Sequence, residues 1–241
     1  MEKIIFCFLI LTSSCCWGEK YVFVDSPQKS WMYAKDYCQQ NYANIVSLTS
    51  AEEERVFFKY VNKNGPREGW IGIYWDQNMR RWKWWRGGNV TYHRVVNSGE
   101  WDTVKNVNWM QNGWQMEVGT SPKSFFCLNM IVVQERKTWE DALEHCRKND
   151  GDLISLLSEV ENHISKIKIE DSALTQQVWI GMRYLGDSWM WVNGDPVLYT
   201  ASLTEGDQDY QCPKLRRCGA LTKEGKWENR DCEEKLNFIC A

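Results

Sequence analysis

The sequence is most informative first through what it does not contain. It has three histidines, His93, His145 and His163, far apart along the chain, and no C-x₂-C pair in the part that follows residue 18. That removes the usual zinc-ligand spacings. The formal net charge is −3 over 241 residues, so nothing globally attracts nucleic acid. There is no phosphate-cradling glycine loop, no H-E-x-x-H and no G-x-S-x-G. No catalytic constellation emerges, and the chain does not read as an enzyme. No low-complexity tract interrupts it, and no apolar run approaches the roughly 20 residues of a membrane span.

The longest apolar run is Ile4 to Leu11, preceded by Lys3 and followed by small residues. This is the pattern of a secretory signal over residues 1–18, with cleavage after Gly18. The mature protein is then expected to be secreted and extracellular, without a membrane span. Cleavage removes Cys7, Cys15 and Cys16 of the ten cysteines and leaves Cys38, Cys127, Cys146, Cys212, Cys218, Cys232 and Cys240. In an oxidising compartment these form bridges, and an odd number leaves one over.

Self-similarity organises the remainder. "SWMYAKDYCQQNYANIVSLTSAEEE" from Ser30 returns 108 residues later as "TWEDALEHCRKNDGDLISLLSEVEN" from Thr138. The offset carries Trp31 onto Trp139, Ala34 onto Ala142, Cys38 onto Cys146 and Ser50 onto Ser158. "WIGIYWD" from Trp70 matches "WIGMRYL" from Trp179, and the copies end on "SFFC" and "NFIC". A repeat this long is a domain, which places one over residues 19–130 and a second over 131–241. The junction has no Gly/Ser/Pro linker, so the two are expected to sit close together.

Within each copy, Trp139, Ala142, Leu143 and Cys146 recur on one helical face, with Thr138 as cap. Second helices begin at Ser50 and Ser158, each with a glutamate three residues on. Strands follow: "VWIGM", "WMWV" and, after the turn "NGDP", "VLY". Helices first and strands after is an α+β layout. In "MRRWKWWRGGNVTY" Trp84 is the counterpart of core Trp191, whereas Trp85 and Trp101 are candidates for exposed contact residues. Asn89 begins the sequon "NVT" on the turn, a candidate glycosylation site.

An early helix with Trp, Ala and Cys, a central W-I-G strand, a W-x-x-x-x-C segment and a terminal F-I-C resemble the C-type lectin-like domain. The second copy carries Trp139, Cys146, Trp179-Ile180-Gly181, Cys218, Trp227, Cys232 and Cys240. The first carries the helices, Trp70-Ile71-Gly72 and Cys127. The resemblance implies, for each domain, two helices, short antiparallel sheets and a long loop region. It also implies the pairings Cys38–Cys127, Cys146–Cys240 and Cys218–Cys232, with the long closures worth about 4–5 kcal/mol each. Cys212 is left over, either a buried or capped thiol or a candidate interchain bridge in a disulfide-linked homodimer.

Family members that bind sugar are expected to do so through calcium, which wants six to eight oxygens. The ion is held by a Glu-Pro-Asn or Gln-Pro-Asp segment, an acidic residue before the third motif cysteine, and Asn-Asp after the tryptophan. Here the family spacing lands on Gln208 and Asp209 with no proline, Arg216 stands at the acidic position, and Glu228-Asn229 follows Trp227. Gln208, Asp209, Glu228 and Asn229 are therefore the candidate ligand-binding residues, in a site degraded for calcium. The second domain keeps a candidate for weak calcium binding. In the first, Gln115 and Met116 follow Trp114 and Gly119 replaces the cysteine, so no calcium site is expected; no cofactor is firmly implied. The resemblance implies a glycan partner, with an extracellular protein ligand as the alternative.

Overall fold

The structure is a computed structural model and describes residues 19–62, 67–92, 94–97, 105–170, 173–201 and 216–241. The signal segment, Trp101 and Cys212 lie outside the described residues. The first half contains β1 (Tyr21–Lys29), α1 (Trp31–Asn41), β2 (Asn44–Ile45), α2 (Ala51–Val61) and β3 (Gly69–Asp76). It continues with β4 (Arg81–Trp84), β5 (Val95–Asn97), β6 (Lys105–Met110), β7 (Gly113–Val118) and β8 (Lys123–Leu128). The second contains β9 (Ile131–Lys137), α3 (Trp139–Lys148), α4 (Glu159–Lys168), β10 (Gln177–Leu185), β11 (Ser188–Trp191), β12 (Cys218–Thr222), β13 (Trp227–Arg230) and β14 (Leu236–Cys240). The class is α+β.

Each half has its own sheet, in the orders β1-β8-β3-β6-β7-β5 and β13-β12-β10-β14-β9. Three features differ from the sequence reading. A strand precedes the first helix of each half and pairs antiparallel with the terminal strand, Val22 opposite Cys127 and Ile131 opposite Cys240. These strands lie at the sheet ends and are mostly half-exposed, so they lack the continuous apolar signature of a core strand. The sheets are also not purely antiparallel, since β3–β8 and β10–β14 run parallel. The expected strand at Val197–Tyr199 is irregular chain instead, with Tyr199 packed edge-on to Trp227 at 5.6 Å.

The repeated residues perform repeated jobs. The Ser50, Thr138 and Ser158 hydroxyls accept from the backbone N–H three residues on and cap α2, α3 and α4. Trp31 Nε1 donates to the Ile71 carbonyl at 2.8 Å, and Trp139 Nε1 to that of Ile180 at 2.9 Å. Trp70 and Trp179 donate to the carbonyls of Lys29 and Lys137. Disulfides join Cys38 to Cys127, Cys146 to Cys240 and Cys218 to Cys232.

The glycine of W-I-G is explained by closeness of backbone. Gly181 N–H donates to the Ile154 carbonyl at 2.8 Å, and a Cβ there would stand 2.5 Å from the Leu153 carbonyl oxygen. At Gly72 the nearest atom, the Val46 carbonyl oxygen, would be 3.0 Å away. Gly181→Ala is accordingly expected to destabilise the second domain by about 1–3 kcal/mol in denaturant titrations, with Gly72→Ala milder. Equal costs would mean that this backbone approach does not set the requirement.

The halves also pack on each other. Val160 and Ile164 of α4 belong to the same buried cluster as Phe57 and Trp84. Lys20 Nζ reaches Glu161 Oε2 at 2.9 Å and the Ser155 carbonyl at 2.9 Å, while Tyr21 OH donates to Glu161 Oε1 at 3.1 Å. Lys168 Nζ donates to the Tyr42 carbonyl at 3.1 Å.

Candidate functional site in the second domain

The candidate site is built on β13, which pairs antiparallel with β12 so that Glu228 lies opposite Ala220, Asn229 opposite Gly219 and Arg230 opposite Cys218. Trp227 anchors the strand. It is 1% exposed, donates from Nε1 to Asn162 Oδ1 at 2.8 Å, and meets Trp191 edge-on at 5.3 Å. Asn162 in turn donates to the Gly225 carbonyl at 2.8 Å, which ties α4 to the turn before β13. The Cys218–Cys232 disulfide fixes the other end.

On a strand, residues two apart share a face. Glu228 and Arg230 do so, and Arg230 Nη1 stands 4.0 Å from Glu228 Oε2. The same carboxylate oxygen accepts from Gln177 Nε2 at 3.3 Å. Arg230 Nη2 also pairs with Glu234 at 2.6 Å. Arg216 and Arg217, both exposed, lead into Cys218, the residue opposite Arg230. The structure thus sets Glu228 beside the Arg230 guanidinium, a partner the sequence reading did not weigh, while Asn229 lies on the other face of the strand. Gln208 and Asp209 lie outside the described residues.

Another cluster nearby combines Glu140, Cys218 and Cys232, with ligand-type atoms within 4.8 Å of one another. Both sulfurs are spent in the disulfide, so neither is the thiolate that a soft metal would take.

The first domain shows what has replaced this arrangement. Trp114 keeps its place at 0% exposure, but its Nε1 donates to Glu54 Oε1 at 2.9 Å, where the second domain uses Asn162. Trp31 N–H donates to the Gly119 carbonyl at 2.8 Å, as Trp139 N–H does to that of Cys232 at 2.9 Å, so Gly119 is the spatial counterpart of Cys232. Asn106 stands opposite Tyr74 and Cys218 opposite Arg183, the corresponding strand positions. The Asn106 carboxamide oxygen occupies the place where a Cβ on Gly119 would be. An asparagine and a glycine therefore fill the volume of the missing disulfide. Asn106 was not found from sequence, because only strand register reveals its partner.

A sequence profile of the Lectin C-type domain matches residues 27–129 and again 135–241. The chain belongs to the C-type lectin domain family. Human lymphocyte antigen 75 is 26% identical over 271 residues, covering 92% of this chain and 15% of that protein. Bovine secretory phospholipase A2 receptor is 24% identical over 256 residues, covering 88% of this chain and 17% of its own length. The C-type lectin chain thus spans less than a fifth of these relatives. Among solved structures, human lithostathine aligns at 29% identity with a TM-score of 0.41, over 46% of this chain and 80% of that one.

Two further expectations meet the structure here. Trp85 is not an exposed contact residue. It is half-buried, edge-on to Trp31 at 6.1 Å, with Lys35 Nζ 4.3 Å above its ring. It packs against the buried cluster that holds Trp31, Ala34 and Cys38 of α1. Asn89 is exposed beside β4, the setting a glycan-bearing asparagine needs.

Proposed function

We propose that this C-type lectin chain is a secreted, non-enzymatic binding protein that recognises carbohydrate without a calcium clamp. The observation that carries the reading is the company Glu228 keeps. Its carboxylate already has a guanidinium at 4.0 Å and an amide donor at 3.3 Å, and Arg216 takes the place of an acidic ligand. A divalent cation beside fixed positive charge loses the carboxylate field it requires. Among the described residues, Glu228 and Asn229 are what this strand offers, a donor set that does not fit calcium. In the first domain Met116 packs against the core and offers no hard oxygen. Tandem domains, disulfides and a signal segment support an extracellular setting. No helix among the described residues is long and apolar enough to cross a membrane.

Glycan-array binding by the mature chain is expected to be unchanged by EDTA. Binding that EDTA removes, and that Glu228→Ala also abolishes, would overturn the reading.

A second reading, recognition of an extracellular protein, is favoured by the name of one relative, a receptor for a secreted phospholipase. Exposed Leu185 and Met190 on the β10–β11 hairpin, with Met79 on the equivalent β3–β4 hairpin, supply apolar contact surface for it. In this reading Cys212 is the candidate link of a homodimer, which a non-reducing gel of Cys212→Ser would test.

A further inference from the structure

Of the three disulfides, Cys218–Cys232 stands apart. Cys218 and the four cysteines of the other bridges are 0% exposed, whereas Cys232 is 9% exposed. Cys232 follows β13, the strand at the end of its sheet, where local opening disturbs least. The bridge joins residues 14 apart, against 89 and 94 for the other two, so it constrains the unfolded chain least. The first domain also closes the same fold without it. Asn106 and Gly119 take its place, and the Gly119 carbonyl still accepts from Trp31 N–H as the Cys232 carbonyl does from Trp139 N–H. The fold therefore does not require a covalent bond at this position.

A cation is already in place for one of its sulfurs. Arg183 Nη1 donates to Cys218 Sγ at 3.1 Å. The guanidinium also lies over Trp139, with Cζ 4.8 Å from the ring centroid. In the first domain Tyr74 holds the matching position and packs on Trp31 at 5.9 Å. Covering the helix tryptophan thus needs no charge, and the arginine stands only in the domain that has the sulfurs. Glu140 pairs with the same Nη1, and its carboxylate lies within 4.8 Å of both sulfurs, so it opposes a thiolate there. Its first-domain counterpart is Met32. Cys232 sits between Asp231 and Glu233, which leaves Cys218 the better seat for negative charge. In thiol–disulfide exchange the sulfur whose thiolate is better stabilised leaves faster.

We propose that Cys218–Cys232 is a thiol-exchange site, opened by an external dithiol while the two domain-closing bridges stay shut, with Arg183 holding the departing Cys218 thiolate. The inference does not rest on what β13 binds. A thiolate of the dithiol attacks Cys232 Sγ, the Cys218–Cys232 bond breaks, and its electron pair leaves on Cys218 beside Arg183. The second thiol of the reagent then attacks the reagent's own sulfur in the mixed disulfide. Cys232 departs and takes a proton from water, and the reagent leaves as a cyclic disulfide, having given two electrons. The second domain stays folded as the first one is, with the end of β13 released.

The test uses the full mature chain under native conditions. Cys212 is alkylated first, dithiothreitol is added at neutral pH, and newly freed thiols are trapped with a second alkylating label and located by mass spectrometry. Cys218 and Cys232 are expected to take the label at least about tenfold faster than Cys38, Cys127, Cys146 and Cys240. Amide hydrogen exchange is expected to quicken along β12 and β13 and to stay unchanged in the first domain. Arg183→Tyr, which copies the first domain, is expected to slow the release severalfold. Glu140→Gln is expected to speed it, and it carries the test if Arg183→Tyr does not fold. Both variants break the same ion pair, so a merely structural effect would move the two rates in one direction. The proposal is overturned if the three bridges open together, if a long closure opens first, if opening Cys218–Cys232 unfolds the second domain, or if Glu140→Gln slows the release or leaves it unchanged.

Discussion

Replacing Glu54 with alanine is expected to cost the first domain about 3–5 kcal/mol, a fall in melting temperature of roughly 10–20 °C. Glu54 is 3% exposed on α2, and its Oε1 accepts from both Trp109 Nε1 at 2.7 Å and Trp114 Nε1 at 2.9 Å. Its Oε2 accepts from Tyr92 OH at 2.6 Å and faces Arg94 Nη1 at 3.5 Å. Both indoles are 0% exposed, so alanine leaves two buried N–H groups without partners, each worth about 1–3 kcal/mol, beside a cavity. Glutamine keeps an Oε1 in place for both indoles and turns only Oε2 into a donor, toward a phenol that can accept. Glu54→Gln should therefore lose about 1 kcal/mol. Calorimetry of the two variants beside the parent decides. An alanine variant within about 1 kcal/mol of the parent would show that the indoles find water instead.

The same residue shows where sequence reading stops. The S-x-x-E pattern from Ser50 located α2, and the structure starts the helix there. Glu53 does not close the box on Ser50, however. It reaches one residue further, to Thr49 N–H at 2.6 Å and the Thr49 hydroxyl at 2.8 Å. Glu54 gave no signal, because its partners are 38 to 60 residues away and are set by the tertiary fold. The framework was legible because it repeats: an offset of 108 residues marks the Trp, Ala and Cys of the first helices, and one of 109 the Trp and Gly of W-I-G, and their bonds recur almost distance for distance. The candidate site was legible only as a set of residue types. Arg230 beside Glu228 follows from strand period, yet the Gln177 contact and the Asn106–Gly119 substitution follow from register between strands.

The seam between the domains is expected to make stability fall as pH rises from 5 to 8, by about 3 kcal/mol. Glu53, 0% exposed, has its pKa pushed up to about 7, first by burial and then by the nearby Glu161 carboxylate. For an acid with a raised folded pKa the proton is held more tightly in the native state. Its stabilising contribution is full below the ordinary 4.5 and is lost as pH climbs through about 7. Asp152, raised by burial, adds in the same direction. The two domains are not equivalent here. Glu161 has Lys20 at 2.9 Å, Tyr21 OH at 3.1 Å and Leu157 N–H at 2.7 Å, whereas Glu53 has no ion pair among the described residues. Lys20 thus pairs with Glu161, and of the two carboxylates that the repeat placed at matching positions it is Glu53 that carries the raised pKa. Glu53→Gln keeps an acceptor for Thr49 and has no proton to lose, so its melting temperature should stay nearly flat across this range. Lys20→Met strips Glu161 of its cation and is expected to cost about 3–5 kcal/mol at pH 8, and less at pH 5, where Glu53 retains its proton and does not repel Glu161. A parent protein whose melting temperature is flat or rises between pH 5 and 8 would refute this account. So would a Glu53→Gln variant that keeps the parent's slope, since the slope would then belong to other groups.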